Sequence, residues 1–263
     1  MNTLVKQFRL FTLFSRFALR TTLQARMGIV FFMLGKIFRF VFIFALLAFI
    51  FSKTKTLKGY SFEQTAVFFL TYNIIDSVSQ VLFREVYRFR YMVVSGTFDM
   101  VLLKPFHPFI KVLVGGVDLL DLVLVIPYII LLIIAAFHIS AITFGSVLLY
   151  ILLIINSLLF ASAFHICVLS MGLIFTEVDH AIMIYRDVTG LARMPMDIYK
   201  EPVRSFFTFV IPVGLMMSIP VKAFMNILVW PVIFYAFFSS WVLLWGSIVF
   251  WKRALKKYQS WGG

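Results

Sequence analysis

An all-α integral membrane protein with about six transmembrane helices is what this sequence predicts, on three observations. Hydrophobic residues make up 62% of the 263-residue chain and charged residues 13%, and the mean hydropathy is +1.02. Soluble domains carry roughly 25% charged residues. The apolar residues fall in blocks longer than the roughly 18 needed to cross a hydrocarbon core. The 24 Lys and Arg, against 11 Asp and Glu, gather just outside those blocks. A net charge of +13 distributed in this way reads as cytoplasmic loops under the positive-inside rule and argues against nucleic-acid binding.

Residues 1–26 set Lys6, Arg9, Arg16 and Arg20 on one helical side and Leu4, Phe8, Phe11 and Ala18 largely on another. That pattern predicts an amphipathic helix lying on the cytoplasmic surface with its cations at lipid headgroups. A first span follows over about Gly28–Phe51. It is too long for a signal-peptide core, and we expect it to be retained. Lys36 and Arg39 near its start are expected to snorkel toward the cytoplasmic interface. The loop from Ser52 to Gly59 is then outside, although its three lysines run against the charge rule.

The second span covers about Ser61–Phe83. Asn73, Asp76, Ser77 and Gln80 recur at i, i+3, i+4 and i+7 and form one polar face, serving either helix–helix hydrogen bonding or a pathway. A third span, about Val112–Phe137, starts with Asp118 and Asp121, for which Lys111 or Arg84 are the expected partners. Pro127 is placed to kink it. Between Ile142 and Phe175 the tract is too long for one perpendicular crossing. It is either one tilted helix or a span that turns near Asn156 and Ser157.

Within Thr176–Arg204, the residues Asp179, His180, Arg186, Asp187 and Arg193 recur with heptad-like spacing and fall on one helical stripe. Either a soluble loop helix or a helix lining a cavity accounts for them. Val203–Val221 is apolar but broken by Pro212 and Pro220, as backbone is allowed to be where protein or a cavity covers it. A last span, about Met225–Trp251, carries four tryptophans, and Lys252, Arg253, Lys256 and Lys257 hold the C-terminus inside. Cys167 is the one cysteine, so no intrachain disulfide forms, and the four histidines lack ligand spacing. No Gly-x-x-x-x-Gly-Lys-[Ser/Thr] occurs to cradle a nucleotide phosphate.

The polar, basic island Arg84–Lys111 between the second and third spans carries the most specific wording. Gly96 permits a tight turn. Asp99 is placed to cap a helix beginning near Phe98, and Lys104-Pro105 to end it. Phe98, Met100, Val101 and Leu102 are then available for docking. The run Tyr91-Met92-Val93-Val94-Ser95-Gly96-Thr97-Phe98-Asp99, followed by Leu102-Leu103-Lys104-Pro105, resembles the first cytoplasmic loop of ABC-2-type transporter permeases of the short six-span branch. Met194-Pro195 through Ile211-Pro212 to Ile219-Pro220 is similar to that family's proline-punctuated element before the last span.

The resemblance implies a single permease domain over 1–263, with an interfacial helix at 1–26, a coupling loop at 84–111 and a re-entrant outer element at 194–222. It implies a fifth span over roughly Phe175–Arg193, and no catalysis on this chain. It further implies ATP-driven export from the cell (inner) membrane, a partner ATPase that binds ATP and Mg, a second permease copy or sister permease, and both termini cytoplasmic. The coupling residues are then Tyr91, Gly96, Thr97, Phe98, Asp99, Leu102, Lys104 and Pro105. The pathway residues are Asn73, Asp76, Gln80, Asp179, His180, Arg186, Asp187 and Arg193. An ion-coupled secondary transporter using Asp76 or Asp179, or a membrane scaffold, is the competing reading, and the substrate is not legible.

Overall fold

Ser61 and Thr143 each close a capping box and so fix where two of the long helices begin. The Ser61 hydroxyl accepts from the Gln64 amide at 3.3 Å while the Gln64 side chain accepts from the Ser61 amide at 2.9 Å. Thr143 and Ser146 repeat the arrangement. A computed structural model describes residues 3–24, 26–104, 107–116, 118–175 and 179–259, and among these no strand occurs. In order, α1 is Thr3–Gln24, α2 Arg26–Lys53, α3 Phe62–Phe83, α4 Phe89–Val94, α5 Thr97–Leu102 and α6 Pro108–Val114. They are followed by α7 Leu119–Ala136, α8 Phe144–Ile174, α9 Asp179–Gly190, α10 Val203–Ser205, α11 Val213–Phe224 and α12 Trp230–Lys257.

The bundle is built around α3, which is buried over most of its length, and around α8, which packs along α12 and α11. In lipid the apolar side chains gain little by leaving their surroundings, so polar contacts between helices carry specificity. The Asn156 amide donates to the Ala236 carbonyl at 3.2 Å and its oxygen accepts from Ser240. Ser157 donates to the Met216 carbonyl. Thr71 and Tyr150 share a buried 2.8 Å hydrogen bond between α3 and α8. These stitches decide the open question about 142–175. Asn156 and Ser157 do not turn the chain but clamp α8, a single helix of 31 residues, to α12 and α11. At 1.5 Å per residue it is about 46 Å long.

Among the described residues, four helices are long and apolar enough to cross a membrane: α2, α3 with its continuation to Val94, α8 and α12. The segment Val203–Val210, which ends in a π turn, meets α11 at 92°, so the proline-broken region is a bent pair that makes at most a fifth crossing. Gly214 lets the two arms meet, because a Cβ there would lie 2.6 Å from the Thr208 hydroxyl and 3.0 Å from its Cα. The helix α7 is a shorter apolar one.

The expected fifth span over 175–193 is not a long apolar helix. Its helix α9 has 12 residues, about 18 Å, against a core of about 30 Å. Nor is it a free loop, since Ile182, Thr189 and Ala192 are buried. The Tyr185 ring lies 5.0 Å from His165 and 5.3 Å from Phe164 of α8. From there the chain climbs beside α3 to Arg193, whose guanidinium sits 5.3 Å from the Tyr72 ring. At Asp197 it meets the Tyr60 hydroxyl and Lys222, both at 2.9 Å, at the opposite end of the bundle from the α8 C-terminus.

Candidate functional site

The island leaves α3 through a 3-10 turn, Arg84–Arg88, and folds α4 and α5 against each other across Ser95 and Gly96. Gly96 occupies the left-handed region at φ 68°, where a side chain is strained. It is also the N-cap of α5. The Ser95 and Thr97 hydroxyls lie 2.7 Å apart beside it. Asp99 is therefore not the cap. It sits in the first turn of α5, and its carboxylate accepts a 3.0 Å hydrogen bond from the Tyr258 phenol beyond the end of α12.

The same neighbour covers part of the expected docking face and leaves Met100 of it exposed. Phe98 is fully buried, with its ring edge-on to Phe89 at 5.1 Å and to Tyr258 at 5.3 Å. Val101 is buried, and Leu102 packs half-buried on the same cluster. Trp251 is buried as well, 6.2 Å from Phe89 and 5.4 Å from Phe109. The end of α12 lies under α5 and claims the 98/101/102 side of that helix. What remains outside is Tyr91, Val94, Met100 and Leu103, which are 76, 51, 63 and 83% exposed. Lys104 is exposed beside them, and Pro105, the expected stop, lies outside the described residues.

Ion pairs anchor the base of the island. Arg84 meets Asp118 at 3.4 Å, as the sequence suggested, whereas Lys111 lies 3.9 Å from Glu85. Lys111 also stands 4.7 Å over the Phe14 ring of α1. Gly116 admits α1 closely, since a Cβ there would lie 3.1 Å from that of Ala18. The partner of Asp121 is Lys36. That lysine does not snorkel to the interface but turns inward, because Asp121 is fully buried on the adjacent α7 and an unpaired carboxylate there is costly.

The expected pathway residues do not share one surface. Asn73 is buried and donates to the Phe69 carbonyl of its own helix at 2.7 Å, and Gln80 donates to the Tyr87 hydroxyl at 3.1 Å. Asp76 is half-buried, 4.0 Å from Arg39 of α2. His180, Arg186 and Asp187 are exposed on α9, alongside the exposed Met183 and Ile184. Asp179 opens α9, and its side chain lies outside what is described. Arg193 leaves the stripe because residues 191–193 wind as a 3-10 turn, which swings it onto Tyr72. A seam of Arg39, Asp76, Tyr72 and Arg193 is the part the spacing did not reveal, since two of its members come from α2 and from beyond α9.

A family model describing an ABC-2 family transporter protein matches residues 24–262. The chain belongs to that family. No curated protein and no solved structure matches it. Membership makes the chain a transporter's multi-pass membrane subunit, and in an ABC-2 permease the exposed island and the charged seam are the two features to explain.

Proposed function

We propose that this ABC-2 permease forms the translocation pathway of an ATP-driven exporter, with ATP and Mg held by a separate nucleotide-binding subunit. The observation that carries the reading is the island's exposed apolar face, Tyr91, Val94, Met100 and Leu103. Four large apolar groups left uncovered on two short helices beside the exposed Lys104 offer a surface to a protein partner. Their helices are not loose: Phe98 and Asp99 bind them to the end of α12. A push on the outer face is thereby delivered to a membrane-crossing helix.

In this reading residues 1–26 lie on the cytoplasmic surface, 84–111 is the coupling loop and 194–222 is a re-entrant outer element. The pathway runs along Asp76, Arg39 and Arg193. The exposed His180, Arg186 and Asp187 face a second permease copy or sister permease, which spares them contact with lipid.

The test is co-expression with the cognate ATPase and single cysteines at Met100 and Leu103. Crosslinks from both positions to the ATPase, with labelling of both by an impermeant reagent only from the cytoplasmic side, support the reading. Labelling from outside, or ATP hydrolysis by the purified chain alone, overturns it.

A further inference from the structure

A cavity of about 320 Å³ lies at the Tyr60 end of the bundle, in the elbow between the bent pair and the start of α12. One wall is charged. Lys222 holds Asp197 at 2.8 Å and Arg204 holds Glu201 at 2.6 Å, while Arg204 also lies 3.7 Å from Asp197. The opposite wall is apolar, with Ile227, Val229 and Val232, and Ile227 and Val229 are exposed on the outside of the bundle. Ser218, also on the wall, is buried, and its hydroxyl has no hydrogen-bond partner among the described residues. The volume suits one ligand group.

We propose that this cavity binds one zwitterionic amphiphile from the adjacent membrane leaflet. Its polar head lies across the Lys222–Asp197 and Arg204–Glu201 pairs, and its hydrocarbon lies against Ile227, Val229 and Val232. The two pairs cancel in net charge but present cations and carboxylates side by side, so a head bearing both signs meets an opposite charge at each end. A purely anionic head meets Lys222 and Arg204 but also two carboxylates. The exposed apolar wall gives a hydrocarbon tail a surface and so distinguishes an amphiphile from a free zwitterion of the same head chemistry. The site does not depend on the proposed ATPase coupling and is tested on the isolated chain.

The test uses the purified chain in nanodiscs containing trace phosphatidylcholine with a diazirine high on its acyl chain. Labelling concentrated on Ile227–Val232, and competed about tenfold better by phosphatidylcholine than by phosphatidylglycerol, is expected; tenfold is the loss of one charge-assisted contact. Glu201→Lys, at an exposed position, should reverse the preference toward phosphatidylglycerol. Val232→Trp should abolish the labelling, with a thermal melt showing that the chain is folded. Equal competition by both lipids, labelling spread evenly over the lipid-facing helices, or equal competition by soluble glycerophosphocholine overturns the proposal. Failure here leaves the ATPase crosslinks from Met100 and Leu103 unaffected, so the two readings fail separately.

Discussion

The phenol of Tyr258 donates a 3.0 Å hydrogen bond to the Asp99 carboxylate, which ties the residue just beyond α12 to α5 of the island. Burial, then the hydrogen bond and charge of Asp99, push the Tyr258 hydroxyl up to about 12 from an ordinary value of 10.0. The folded chain therefore holds this proton more tightly than the unfolded chain. The stabilisation is complete below about pH 10 and is lost as the pH rises toward 12.

Tyr258→Phe keeps the ring against Phe98 and removes only the hydrogen bond. The pair is partly exposed, so the loss is about 1 kcal/mol, which corresponds to roughly fivefold faster amide exchange across Thr97–Leu103 near neutral pH. Hydrogen exchange of the wild type and variant reads this directly. At a pH near 12 the two proteins should exchange alike in this segment. Unchanged protection at neutral pH would show that the hydrogen bond does not hold the island.

Met100→Glu and Leu103→Glu should abolish co-purification with the partner ATPase while moving the thermal midpoint little, because surface changes stay within about 0.5 kcal/mol. Phe98→Ala should act in the opposite way, costing about 3–5 kcal/mol and unfolding the island. Pull-down and thermal melts on the three variants separate the roles. A stable Phe98→Ala chain that alone loses the ATPase would restore Phe98 to the docking face.

The contrast between Phe98 and Met100 shows where the sequence stops being legible. Long apolar runs are local signals, and they mark α3, α12 and the tract that holds α8, just as Gly96 marks the turn. Which side of six-residue α5 faces inward is decided by Tyr258 and Trp251, more than 150 residues away, and no local period encodes that. The same holds for Lys36, whose partner Asp121 lies 85 positions on. It holds too for Arg193, which a 3-10 turn takes out of register with Arg186. Asp76 on its polar face was readable, but Arg39 opposite it was not.

Gly214→Ala should cost about 1–3 kcal/mol, since its Cβ would lie 2.6 Å from the Thr208 hydroxyl and 3.0 Å from backbone, which has little room to give. Gly35→Ala on α2, where a Cβ would meet nothing within 4 Å among the described residues, is the control and should be neutral or slightly stabilising. Thermal melts in one detergent compare them. Equal midpoints would mean that the 92° elbow opens without strain.

Lys36→Met should be among the most damaging substitutions in the first crossing. It leaves the Asp121 carboxylate, fully buried and with its second oxygen already without a partner among the described residues, uncompensated inside α7. Removing one partner of a buried pair costs about 3–5 kcal/mol, whereas replacing both with apolar groups is often neutral. The double variant Lys36→Met/Asp121→Leu should therefore recover most of the lost stability, and Asp121→Leu alone should fall between them. The cation it strands is on a side chain that is 19% exposed, whereas Asp121 is fully buried. A double-variant cycle by thermal melting measures the coupling. If the two single losses simply add, Lys36 and Asp121 do not act as a pair, and other contacts hold α2 to the bundle, among them Phe40 on Phe69 and Tyr128 and the Arg39–Asp76 pair.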